Sequence, residues 1–279
     1  MTSILRATDL VVEYRGKGFR AKPFRALHGV SFDLTPGETL GLVGESGSGK
    51  TTLGRAVLGL APIVDGAVTY EGRDITHLPS RERRKLGREI QVVFQDPYSS
   101  LSPSMTIESI LTEPLTAAGT PRRDAQAKVS ELLDRVGLPA AARTRLPREF
   151  SGGQRQRVAI ARALALDPRV IVCDEPVSAL DLSTQARVLD LFIEIQERTG
   201  VAYLFISHDL SVVRHISHRV AVMYRGEIVE VGDGDQVTSA PAHPYTQKLF
   251  LAAPVSNPDE QRERRLRRGE LAAAASTDH

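Results

Sequence analysis

The chain has 279 residues, 41% of them hydrophobic and 25% charged, which suits one large α/β domain or two small ones with a genuine core. Its 36 basic and 34 acidic side chains leave a net charge of +2, so charge gives no global case for a nucleic-acid partner. The single cysteine, Cys173, excludes an internal disulfide, leaves no cluster for zinc or an iron–sulfur centre, and points to a reducing cytosol.

Taken in chain order, the N-terminus has no basic head followed by a long apolar core, so no secretory signal is expected. No stretch approaches the roughly 18 consecutive apolar residues of a membrane helix, so if the chain serves transport, other chains must supply the pore. Residues 10–14 read as a strand, and 39–43 as a short apolar strand leading into a glycine-rich stretch. A helix is predicted over 51–60, an antiparallel hairpin strand over 66–72 between glycines, and a strand over 89–94. Apolar Val129, Leu132, Leu133 and Val136 share one face of a helix over 124–136, which Gly137 stops. Another helix covers 154–165 and ends at Asp167-Pro168. Residues 169–173 form an apolar strand without alternation, the pattern of a strand buried on both faces. A long helix over 185–198, a core strand over 202–206 and a hairpin of 219–223 with 227–231 around Arg225-Gly226 follow.

Strands alternating with helices predict an α/β fold with a largely parallel sheet. The section from 96 to 164 lacks strand signals and reads as a helical subdomain inserted into the sheet-bearing core. A single domain is expected over 1–255, followed by a charged, partly disordered tail over 256–279.

Gly44-Glu45-Ser46-Gly47-Ser48-Gly49-Lys50-Thr51 fits the phosphate-loop pattern G-x-x-x-x-G-K-[ST] in its required strand-to-helix context. Its glycines let backbone N–H groups from Gly47 to Thr51 turn inward around phosphates. The helix that follows, with Thr52 in its first turn, points its positive end at the same anion. Lys50 supplies a cation for the β- and γ-phosphates of ATP, and Thr51 a hydroxyl for Mg²⁺. The strand over 170–173 ends in Asp174 and Glu175. Beside a phosphate loop, Asp174 is placed to hold Mg²⁺ through water, and Glu175 to polarise the water that attacks the γ-phosphate. Ser151-Gly152-Gly153-Gln154 opens a helix and makes a second anion nest. One ATP does not need two nests in one chain. The simplest resolution is that this turn closes on ATP held by a partner subunit; the alternative is an ordinary helix start capped by Ser151.

Ser-Gly-Gly-Gln between a phosphate loop and a strand ending in Asp-Glu resembles the signature of ABC ATPases. That resemblance covers about 4–250. It implies a P-loop NTPase core with an antiparallel β subdomain that binds adenine and an inserted helical subdomain. It also implies roles for further residues. Gln95 follows a strand as the Q-loop glutamine does, and contacts Mg²⁺ and the attacking water. Asp181, in Ser178-Ala-Leu-Asp181, belongs to the D-loop that signals across the dimer. His208 is the switch histidine that grips the γ-phosphate, and Tyr14 is the ring that stacks on adenine. The partners implied are a second ATPase subunit, identical or different, two transmembrane permease subunits and, indirectly, an extracytoplasmic solute-binding protein. The chain would then sit on the cytoplasmic face of the membrane.

The stretch 94–103, together with Glu113-Pro-Leu115 and His243-Pro-Tyr-Thr246, is similar to ATP-binding subunits of oligopeptide/dipeptide permeases. Peptide import is the activity this implies. Import of another solute such as nickel, a non-transport ABC ATPase and a P-loop kinase remain the alternatives. Other charged groups are expected to be solvated: a basic loop of Arg15, Lys17, Arg20, Lys22 and Arg25, one helix face of Arg81, Arg83, Arg84 and Lys85, and the mixed run at 262–268. Cys173 is expected in the core, and His215, His218 and His243 in structural or surface roles.

Overall fold

The structure is a computed structural model and describes residues 2–16, 22–96 and 100–252. The tail expected from 256 onward, its charged run, and Lys17 and Arg20 of the basic loop lie outside the described residues.

In chain order the strands of the larger sheet are β3 (Thr39–Val43), β6 (Ile90–Val93), β7 (Val170–Asp174), β8 (Ala202–Ile206), β9 (Arg219–Tyr224) and β10 (Glu227–Asp233). They form a six-stranded sheet in the order β10-β9-β3-β8-β7-β6. Every pair is parallel except the β9–β10 hairpin at one edge. The central strands lack alternation because each face meets a different core. Val170, Val172, Leu204 and Ile206 enter one core, and Ile171, Cys173, Tyr203 and Phe205 the other. The chain order of the strands differs from their order in space, so helices must cross over the sheet and cover both faces.

The second sheet contains β1 (Leu5–Tyr14), β2 (Phe24–Leu34), β4 (Ile63–Tyr70) and β5 (Arg73–Asp74) in the order β2-β1-β4-β5, all antiparallel. Strand β1 starts five residues before the predicted one. Its buried residues are Leu5, Ala7, Leu10 and Val12, which breaks a strict alternation by one place. A bulge between Ala7 and Leu10 absorbs the extra residue, with Asp9 at φ 49° and Gly66 opposite, where a Cβ would lie 2.3 Å from the Asp9 carbonyl. The inner residues of this sheet share a core with one face of the larger sheet and with α1 (Lys50–Val57).

Between β6 and β7 the described residues form helices and no strand. The segment contains α3 (Ile107–Ala117), α4 (Arg122–Arg135) and α5 (Gly152–Leu164), with short 3-10 turns at Ala140–Thr144 and Pro147–Glu149. Ile107, Leu111, Val129 and Leu133 of this segment join the core on the second face of the larger sheet. That core centres on Phe192 of α6 (Leu182–Thr199), whose ring meets Tyr203 and Phe205 edge-on at 5.4 and 5.7 Å. Four shorter helices complete the description: α2 (Ser80–Leu86), α7 (Leu210–Ile216), α8 (Gly234–Ser239) and α9 (Pro244–Ala252). In α2 the expected solvated basic face needs correction at Arg83. Its guanidinium turns in and donates to the Ile75 carbonyl at 2.6 Å, and burial lowers its pKa.

Candidate functional site

The C-terminal ends of β3, β7 and β8 lie side by side, the place where open parallel sheets hold their ligands. Strand β3 runs into the loop 44–49, and α1 begins at Lys50. Two glycines make the loop possible. Gly44 has φ 155°, and a Cβ there would lie 2.1 Å from the Met223 carbonyl oxygen. Gly49 caps α1 at φ 107°, in the left-handed region. Ser48 is buried and fills the inside of the turn, while Glu45, Ser46 and Gly47 are exposed at its rim.

Lys50 is 5% exposed, and its ammonium donates to the carbonyls of Gly44 at 2.7 Å and Glu45 at 2.9 Å. Burial pulls its pKa below the ordinary lysine value, against the attraction of Glu175, Asp174 and Glu45. The cation is therefore already paid for in desolvation and held on weak neutral acceptors, from which an anion can draw it.

At the next residue, the Thr51 hydroxyl donates to the Asp174 carboxylate at 3.0 Å. Burial raises the Asp174 pKa, opposed by that hydrogen bond and reinforced by the charge of Glu175. Both oxygens are hard donors of the kind Mg²⁺ prefers, and together they fit such an ion. Among the described residues no group of three or more His, Cys, Asp or Glu side chains could hold a metal, so phosphate and water oxygens would have to complete the shell.

Glu175 sits in the left-handed region at φ 49°, an uncommon conformation for a residue with a Cβ. Its amide donates to the Ile206 carbonyl at 2.9 Å, which ties it to the end of β8. Its carboxylate lies 3.0 Å from His208 Nδ1, with the Glu175 side chain 17% exposed and the His208 side chain 55% exposed. The base candidate is thus half-buried and its partner exposed.

Ser151 to Gln154 and Asp181 form a second group. Ser151 caps α5 by accepting from the Gln154 amide at 3.3 Å, and Gln154 Oε1 accepts from the Ser151 amide at 3.0 Å. The ordinary capping that the sequence allowed is therefore present. Asp181 caps α6, accepting from the Thr184 amide at 3.0 Å and the Ser183 hydroxyl at 2.7 Å, and these bonds hold its carboxyl well below the usual range. The two caps meet at Thr184, since a Cβ on Gly153 would lie 2.2 Å from Thr184 Cγ2. Among the described residues no hydrogen bond or ion pair joins this group to the loop 44–52, Asp174, Glu175 or His208.

Two other predicted residues stand apart. Tyr14 is half-buried on the core of the antiparallel sheet, paired across the strands with Phe24. Gln95 is exposed just past β6 and makes no hydrogen bond among the described residues. Sequence reasoning missed the outer supports of the loop. The Gly226 amide donates to the Ser48 carbonyl at 2.9 Å, and the Glu45 amide donates to the Tyr245 hydroxyl at 3.2 Å. Of the histidines set aside, His218 Nδ1 accepts from the Thr39 amide at 3.0 Å and His243 Nδ1 from the Tyr245 amide at 3.2 Å, which are structural roles.

Comparison with known proteins bears on this geometry. Residues 27–178 match the ABC transporter family, and residues 229–278 match the oligopeptide/dipeptide transporter C-terminal region. The chain is 51% identical over 268 residues to the glutathione import ATP-binding protein GsiA of Escherichia coli (strain K12), an alignment covering 94% of this chain and 43% of that protein. GsiA of Pectobacterium atrosepticum is likewise 51% identical over 266 residues, covering 93% and 43%. The chain thus spans less than half the length of these curated relatives. Among solved structures it is similar to cbiO1 of Clostridium perfringens, part of the ABC transporter complex cbiONQ, with a TM-score of 0.76 and 25% identity over 86% of this chain and 92% of that one. It is also similar to an ATP-binding cassette solved as a dimer in a post-hydrolysis state with ADP and Pi, with a TM-score of 0.73 and 28% identity over 82% and 98%.

Proposed function

The chain belongs to the ABC transporter family, and on that premise we propose that it binds and hydrolyses ATP to power an importer of oligopeptides or dipeptides. The observation that carries the reading is Lys50. A buried ammonium resting on two loop carbonyls, close to Glu175 and Asp174, is a cation waiting for a better acceptor. The β- and γ-phosphates of ATP are that acceptor. Thr51 and Asp174 would hold Mg²⁺, which neutralises charge on the phosphate oxygens when bound. The peptide class is supported by the C-terminal match and by the relatives, since glutathione is itself a small peptide.

The mechanism follows from the Glu175–His208 contact. A γ-phosphate attracts His208, and the carboxylate it leaves becomes free to accept a proton from water. That water adds to the γ-phosphorus, the bond to the ADP oxygen breaks, and Glu175 holds the proton released. A partner's Ser151-to-Gln154 turn closes over the phosphate, so hydrolysis loosens the contact between subunits. The partner is a second ATPase subunit, identical or different. Two permease subunits provide the pore; no described helix of this chain is long and apolar enough to cross a membrane. A solute-binding protein outside the membrane would deliver the cargo.

The test is phosphate release and peptide uptake by the chain assembled with its permeases. Lys50→Ala is expected to abolish both. ATP turnover that persists in the Lys50→Ala complex would remove the basis of the reading.

A further inference from the structure

Helix α9 lies outside the catalytic groups described so far, yet it touches the phosphate loop. Tyr245, in its first turn, accepts the Glu45 amide at 3.2 Å. The other end of that same peptide unit, the Gly44 carbonyl, accepts Lys50 at 2.7 Å. One peptide plane at the entrance of the loop is therefore gripped from both sides, by the lysine inside and the tyrosine outside. When Lys50 turns to phosphate, only the outer grip remains to hold that plane.

The helix is built to keep the tyrosine there. Tyr245 and Leu249, four residues apart, pack on an apolar cluster that includes Val43, the last residue before the loop. The Tyr245 ring lies 4.1 Å from that of Tyr224 at the end of β9. Glu230 of β10 anchors the approach to the helix by accepting the amides of Ala242 at 2.7 Å and His243 at 3.0 Å. The turn between β9 and β10 holds the far side of the loop through Gly226. Helix and hairpin thus brace the loop as one piece.

We infer that Tyr245 is a positioning residue for ATP binding, through which the C-terminal helix sets the shape of the phosphate loop. The inference rests on the nucleotide reading above and adds a residue from outside the matched ATPase segment, 27–178. Because coupling is reciprocal, ATP on the loop also stabilises the docked position of α9.

The experiment compares the full-length protein with Tyr245→Phe, which keeps the ring against Tyr224 and removes only the hydroxyl. Tyr224→Phe is the matched control, since it keeps a ring at the same contact and leaves the Glu45 hydrogen bond intact. Without nucleotide, amide hydrogen exchange across 44–49 is expected to quicken in Tyr245→Phe while β7 stays protected. The dissociation constant for ATP is expected to rise by roughly three- to ten-fold, the worth of one neutral hydrogen bond, with kcat changed less than about two-fold. Exchange and affinity equal to the unmodified protein, or equal effects in Tyr224→Phe, would overturn the inference. If the unmodified protein itself binds no ATP, the nucleotide reading fails instead, and the exchange comparison still decides the role of Tyr245.

Discussion

Lys50, Thr51, Asp174, Glu175 and His208 come from three different crossovers, and the parallel sheet brings them to one edge. Their division of labour makes separable expectations. Glu175→Gln keeps the shape and removes the base, so ATP binding should persist. Phosphate release should fall by about 10² to 10⁴, the usual contribution of general base catalysis. Asp174→Asn keeps a hydrogen-bond acceptor for Thr51 but removes the charge. In a titration of ATPase activity against Mg²⁺, the half-maximal concentration should rise by at least roughly ten-fold. An unchanged Mg²⁺ requirement would take Asp174 out of the metal site. At this scale the placement of the phosphate loop, Asp174 and Glu175 at the ends of adjacent strands was legible, because contiguous residues record it. Tyr245 and Gly226 were not, because their contacts cross 200 and 178 residues of chain and no local pattern records them.

At the scale of elements, the turn before α5 and the start of α6 fit each other through the absence of a side chain. A methyl on Gly153 would collide with Thr184 Cγ2, so Gly153→Ala should destabilise by about 1–3 kcal/mol. Thr184→Ser removes the colliding methyl and should restore most of that loss, a coupling readable by a double-mutant cycle in denaturant melts. Phe192 of α6 fills the space against Tyr203 and Phe205, and Phe192→Ala should cost about 3–5 kcal/mol by the same measurement. The strands with apolar runs were the most legible elements. The predicted ranges 39–43 and 202–206 match β3 and β8 without change. Strand β2 had no predicted range, since exposed Phe24, Arg25, His28 and Gly29 interrupt its pattern. The start of β1 was hidden by its bulge, and α7, α8 and α9 are too short for helical spacing to repeat clearly.

Across the whole molecule, two of the three apolar clusters on the larger sheet each carry one half of the proposed chemistry. The core that contains the antiparallel sheet supports the phosphate loop through Leu42 and Leu53. The core that contains the helical segment supports the serine–glycine turn through Val158 and Val188. Within one chain those two halves exchange no hydrogen bond or ion pair among the described residues. In the proposed shared site, the turn that closes on each phosphate comes from a second subunit. The most direct measurement is a structure of the Glu175→Gln complex loaded with ATP and Mg²⁺. The expected result is a triphosphate on residues 44–51 of this chain, with the serine–glycine turn of the opposing subunit within hydrogen-bond distance of its γ-phosphate. A loaded complex in which no opposing turn reaches the γ-phosphate would contradict the shared site.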